Sequence, residues 1–214
     1  MAGKQFKNNT DESPKMFENP FLDFFSRVHF IVVPIIYVPF IGYFIYLTLF
    51  KYEVSMGWFA GLFSLGVVLW TFFEYWFHRL FFHMEPKSDL GKRIHFMAHG
   101  VHHDYPNDSL RLVMPPAVSL TLAVIVYWTI FLFVQDYGLT SGLFSGFVTG
   151  YLVYDIMHFS THYSSYKGKW FQRIKKNHML HHYKDGNRGY GLSNIFWDRV
   201  FGTLHDLKSE TPKE

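Results

Sequence analysis

The chain has 214 residues, of which 49% are hydrophobic and 17% charged, with 25 Phe, 14 Tyr and 6 Trp and a formal net charge of +3. So little charge excludes a disordered chain, and a small, dispersed positive excess excludes a nucleic-acid binder. With no cysteine, disulfides, thiolate nucleophiles, iron–sulfur clusters and Cys-based zinc sites are excluded as well, and the thirteen histidines become the feature to explain.

In chain order, a polar tail and interfacial segment, 1–27, comes first, and its first fifteen or so residues read as mobile. Four stretches without Asp, Glu, Lys or Arg follow at 28–50, 54–73, 112–135 and 137–154. About 20 apolar residues cross a bilayer core, so each is long enough to span, the last only just. The first lacks a small-residue cleavage pattern after it and is not a signal peptide. Pro34, Pro39, Pro115 and Pro116 begin or kink helices, while Gly57–Gly61 and Gly142–Gly146–Gly150, spaced by four, line up on helix faces for close packing. If the four stretches form two helical hairpins, nineteen of the twenty Lys and Arg fall on one side. The positive-inside rule makes that side cytoplasmic, with both termini there. The expected fold is therefore an all-α integral membrane protein: four transmembrane helices as two hairpins under a cytoplasmic, histidine-rich helical cap. The catalytic domain is expected over 28–205, with a C-terminal tail over 206–214.

Ten histidines lie in four short windows at or beyond the cytoplasmic helix ends: His78 and His83; His99, His102 and His103; His158 and His162; His178, His181 and His182. Residues three and four apart share a helix face, so the last three windows each present imidazoles in one direction. His78 and His83 are five apart and call for a local distortion of the helix. One such histidine alone reads as a hydrogen-bonded interfacial residue. Ten in four sets do not, because clustered imidazoles repel or go unsatisfied unless a metal collects them. Ten ligands exceed the coordination of one ion, so two metal ions are expected; imidazole suits zinc, copper, iron and nickel alike. His29 reads as a helix-interface residue, His95 as a supporting neighbour of His99, and His205 as an ordinary tail residue. Asp155 and Glu74 lie three and four residues before a histidine, where each either accepts its free N–H or stands as a helix-end charge at the interface, the former reading preferred for Asp155 and neither for Glu74. Asp104, Asp108, Asp185 and Asp198 either orient ligands or cap turns. Arg111 either snorkels at the interface or pairs a lipid head group.

HRLFFH at 78–83, HGVHH at 99–103, HFSTH at 158–162 and HMLHH at 178–182 resemble the histidine boxes of the membrane fatty acid hydroxylase/sterol desaturase superfamily. RLVMPP at 111–116, YDIMH at 154–158, the Trp197–Asp198 pair and VPIIYVPF at 33–40 are similar to the fatty acid 2-hydroxylases that act on sphingolipid acyl chains. The resemblance implies that the ten histidines hold two metals, iron in the working enzyme with zinc able to occupy the sites in purified material, and that Tyr154 and Asp155 support the site. It implies dioxygen as co-substrate and an acyl lipid from the bilayer as substrate. Eukaryotic members usually carry a cytochrome b-type domain, and none fits before residue 28. Electrons are therefore expected from a separate cytochrome b-type or ferredoxin-like protein with its reductase, and a bacterial inner membrane is the expected location, or the endoplasmic reticulum in a eukaryote. Two other readings stand beside this one: a sterol or carotenoid hydroxylase or desaturase of the same superfamily, and a non-enzymatic metal-binding membrane protein.

Overall fold

A computed structural model of the chain describes residues 6–209. Among them every regular element is a helix. A short helix, α1 (Pro20–Phe25), is capped by the Asn19 side chain and exposes Phe21, Leu22, Phe24 and Phe25 while burying Asp23. The long helices are α2 (Val32–Tyr46), extended by a π-helical turn to Lys51; α3 (Met56–Phe77), extended likewise to Phe82; α6 (Pro116–Val134); and α7 (Tyr137–Tyr163). Between α3 and α6 lie α4 (Asp89–His95), a π-helical turn over Phe96–Gly100, and α5 (Val101–Asp104). After α7 come α8 (Lys169–Tyr183) and the short α9 (Phe196–Val200).

Local chemistry sets these boundaries. Pro116 opens α6, where its missing N–H costs nothing. Gln135 leaves it in the left-handed conformation, and Asp136 then caps α7 by accepting from the Leu139 N–H at 2.8 Å. Among the described residues, three helices are long and apolar enough to cross a bilayer: Val32–Lys51, Met56–Phe82 and Pro116–Val134. Their outward residues are bare of protein partners; Phe133, for example, is 85% exposed. The segment expected as a fourth span lies in α7 and is not among the three. With 27 residues it has the length, but it is rich in Gly, Ser and Thr. The physical reason is its position: α7 is packed against α2, α3 and α6, so small buried residues replace lipid-facing ones.

The core joins Val33, Tyr37 and Ile41 of α2, Trp70 of α3 and Phe144, Val148, Tyr151 and Leu152 of α7. Of the two glycine stripes, only the one on α7 makes a close contact. A methyl group on Gly146 would run into the Phe63 carbonyl and one on Gly66 into the Leu143 carbonyl, whereas Gly57 and Gly61 face open space. The N-terminal segment departs from the expected mobile tail over its described part. The backbone N–H groups of Lys7 and Asn8 donate to the Asp104 carbonyl, Asp11 accepts from Ser109, and the Ser13 hydroxyl bonds Asp108. Its polar side chains are spent on the helical cap rather than on water.

Candidate metal centre

The five-residue spacing of His78 and His83 is accommodated by the π-helical turn over His78–Phe82, whose wider winding brings residues five apart onto one face. A second π-helical turn, Phe96–Gly100, carries His99. His158 and His162 sit on the last turns of α7, and His178, His181 and His182 on α8.

These elements gather the ten histidines into two groups of five. His78, His83, His99, His103 and His181 form the first, and His102, His158, His162, His178 and His182 the second; within each, one ring nitrogen per residue lies within 4.8 Å of the others. The groups adjoin, with the His103 and His182 rings 4.4 Å apart. His158 and His162 face one group, as their spacing predicts, but for the two three-histidine windows the structure corrects the reading that each points one way. Pairs four apart, His99 with His103 and His178 with His182, stay together, while the third member of each window crosses to the other group. A residue at i+3 is turned away from one at i+4 by one helical step, enough to aim it at a neighbouring centre.

The donor chemistry can be read from hydrogen bonds. His78 donates from Nδ1 to the Tyr190 carbonyl at 2.7 Å, and His181 from Nδ1 to the Arg188 carbonyl at 2.6 Å. A carbonyl only accepts, so the proton of each ring sits on Nδ1 and Nε2 offers a lone pair. Yet the His78 Nε2 lies 3.2 Å from the Nε2 atoms of both His99 and His83, and that of His181 3.2 Å from His103. In the second group the Nε2 atoms of His158 and His102, and of His162 and His178, approach to 2.9 Å. Such convergence of lone pairs fits a cation, and the residues present match an imidazole-bound metal at each centre. Burial, and after it the neighbouring imidazoles, holds His99, His102, His103, His178, His181 and His182 well below the usual histidine range; burial pushes His83 down to about 4. All are neutral near pH 7, the form that binds metals.

The surrounding polar residues take roles that the sequence left open or misplaced. Glu74 accepts nothing from His78; it receives the Leu192 N–H at 2.6 Å and the Ser193 N–H at 2.8 Å. Asp155, expected to hold a histidine, is buried and bonds none, with its Oδ2 meeting no donor. Tyr154 lies with its ring 5.9 Å from that of His158. His95 donates from Nε2 to the Phe82 carbonyl at 2.7 Å. His205 is no ordinary tail residue: it is buried, and its N–H bonds the Asn177 side chain. Arg111 does not snorkel either. Its side chain is buried between Asp23 and Asp108, at 3.6 and 3.9 Å. Asp104 pairs with Lys7 at 2.6 Å, and Asp185 receives the Asn187 N–H. Sequence reasoning missed the carbonyls of Arg188 and Tyr190; the glycines of GNRGYG at 186–191 were the available signal of a tight loop.

Two apolar cavities reach the centre. One, of about 470 Å³, is lined by His99 of the first group and His102 and His158 of the second, with Met97, Val113 and Met114. The other, of about 820 Å³, lies between α3, α6 and α7 and touches His78. Phe77, Phe82, Met114, Leu122 and Tyr154 line both.

Residues 63–203 match the model of the fatty acid hydroxylase family. The chain belongs to that family. This fatty acid hydroxylase is 33% identical over 202 residues to a dihydroceramide fatty acyl 2-hydroxylase of Arabidopsis thaliana, covering 94% of its own length and 84% of the plant protein. It is 37% identical to a ceramide very long chain fatty acid hydroxylase of Saccharomyces cerevisiae, over 89% of its length and 49% of the yeast protein. With a fatty acid 2-hydroxylase of Rattus norvegicus it shares 34% identity, over 89% of this chain and 56% of that one. The hydroxylase spans about half the length of the yeast and rat relatives. Among solved structures it superposes on full-length scs7p, in which only the hydroxylase domain is visible, with a TM-score of 0.82 and 34% identity over 92% of this chain and 74% of that one.

Proposed function

We propose that this chain hydroxylates carbon 2 of lipid acyl chains, with the amide-linked chains of ceramides or their fatty acid precursors as substrates. The observation that carries the reading is the cavity whose wall holds histidines of both five-membered groups and is otherwise mostly apolar. An acyl chain fits such a wall, and its first carbons then lie beside the histidines. All ten histidines serve as ligands in this reading, five to each ion. Iron held by these histidines would supply the activation of dioxygen that hydroxylation of an unactivated C–H bond requires, whereas zinc, without redox chemistry, would not.

The overall reaction consumes dioxygen, two electrons and two protons, replaces one C–H by C–OH, and releases water. The chain's own part is binding and exclusion. The two apolar cavities, which share Phe77, Phe82 and Tyr154 in their walls, take the acyl chain from the bilayer and keep bulk water from the reacting carbon. Tyr154 and Asp155 support the site, Tyr154 as a wall of both cavities and Asp155 as a buried carboxyl at the edge of the first. Electrons come from a separate donor, cytochrome b-type or ferredoxin-like with its reductase.

The lopsided Lys and Arg distribution supports α7 as a fourth span, two hairpins, and a cytoplasmic face for both termini and the histidines. The domain limits of 28–205 for the catalytic unit belong to the same proposal. A bacterial membrane draws no support from the plant, yeast and rat relatives. The names of those relatives favour acyl lipids over sterols or carotenoids.

Expression in a host lacking 2-hydroxylated lipids, followed by mass spectrometry of total acyl chains, tests the proposal. New 2-hydroxy acyl chains that vanish with His102→Ala are the expected result. Oxidised sterols or carotenoids, or hydroxylation only near the methyl end, would overturn it.

A further inference from the structure

One loop steers a histidine from each of two distant elements. The carbonyls of Arg188 and Tyr190, two residues apart, take the Nδ1 protons of His181 on α8 and His78 at the end of α3. Both rings are thereby turned to present Nε2 to the first group. The loop, 188–193, is held at both ends by buried carboxylates. Asp198 accepts from the N–H groups of Tyr190 at 2.9 Å and Gly191 at 2.8 Å, and is itself held by Thr203 Oγ1 at 2.7 Å and Asn177 Nδ2 at 3.2 Å. Glu74 holds the far end through the N–H groups of Leu192 and Ser193. The path requires glycine: Gly189 has φ +76°, and a methyl group on Gly191 would collide with the Asn194 carbonyl. Asp198 is wholly buried and touches no histidine of either group.

The second group has less of this backing. The Nδ1 atoms of His102, His162, His178 and His182 are buried and meet no acceptor, and His158 alone gains a backbone bond, at Leu112. Rings held by a carbonyl lose less freedom when a metal binds than rings that are not, and their Nε2 is the better donor.

We propose that the two metal positions are unequal in strength and that Asp198 is the positioning residue that makes the first the tighter. It acts on His78 and His181 together, through the loop it clamps. This inference rests on the reading of the ten histidines as ligands of two ions, and the test separates the two.

The full chain, purified in detergent and stripped with a chelator, is titrated with Co²⁺ alone and followed by visible absorption and by metal analysis. The expected wild-type curve has two steps; His78→Ala removes the tighter and His182→Ala the weaker. In the His182→Ala background, where only the tight step remains, Asp198→Asn weakens it by about 10- to 100-fold, the usual effect of losing such a support. In the His78→Ala background the same substitution leaves the weak step in place. Thr203→Val, which removes one bond from the same carboxylate, gives a smaller shift of the tight step alone and serves if Asp198→Asn does not fold. Equal steps in the wild type, or an Asp198→Asn effect on both steps alike or on neither, would overturn the inference. A wild-type chain that takes up no cobalt would overturn the ligand reading beneath it.

Discussion

His102 and His181 stand one on each side of the divided centre, the first in the group with His158, the second in the group with His78. On the proposed function, His102→Ala or His181→Ala is expected to abolish acyl hydroxylation and lower metal content, while His29→Ala, at an exposed position, does neither; activity and metal analysis on the three variants check this. His205→Ala is not a clean control, because the side chain it removes is buried. Arg111 supports a second expectation at this scale. Its guanidinium stands between Asp108 and Asp23, whose side chains are 1% and 12% exposed. Arg111→Ala strips the buried Asp108 of its cation, while Asp23 keeps Arg27 at 2.7 Å; the change costs on the order of 3 kcal/mol, and the thermal unfolding temperature should fall accordingly. The ligand candidates were legible because histidine at three- and four-residue spacing has few other uses in an apolar chain. Their division into two groups was not, since spacing along one helix does not say which of two centres a ring faces. The partners of Glu74 and Arg111 were hidden for a similar reason: Leu192, Ser193 and Asp23 lie far away in sequence.

At the scale of elements, the packing of α7 on α3 places the third and fourth windows above the first. Gly146 and Gly66 let the two backbones touch, and the neighbour that a side chain would strike is in both cases a carbonyl, which cannot swing aside. Gly146→Ala is therefore expected to cost at least the 1–3 kcal/mol or so typical of overpacking, seen as loss of monodisperse protein and a lower unfolding temperature. Gly61→Ala, where open space awaits the methyl group, is expected to change neither. The two glycine stripes look alike in the sequence; only the helix that faces another backbone needs them. The three apolar spans were legible from length and hydropathy alone, because lipid demands an apolar surface all along them. The character of α7 was less so, since a helix enclosed by protein is relieved of that demand. The N-terminal segment was misread on the same ground: polarity marks a tail only when no polar surface is waiting to bind it, and Asp104, Asp108 and Ser109 provide one.

For the whole molecule, the cap is held together by ten imidazoles that are neutral inside it and protonatable outside it, so acid and chelation should act on the same free energy. In the unfolded chain these histidines titrate near the ordinary value of about 6.5. In the folded chain burial holds those resolved in the cap lower, with His83 near 4. Between those values the unfolded chain binds more protons, so stability falls as the pH drops through that window and is fully present above it. A metal bound to the same nitrogens adds stability that protons compete away, because each must displace the ion to enter. At pH 7 the metal-loaded protein is therefore expected to unfold at a higher temperature than the chelated one. From pH 7 to pH 5 both should lose stability, and the gap between them should close as metal is released. Thermal unfolding of the two forms across this range, with metal analysis of the released fraction, measures it. A gap that stays constant to pH 5 would mean that the metal is held by groups other than these histidines, because only ligands that protons can reach couple the two effects.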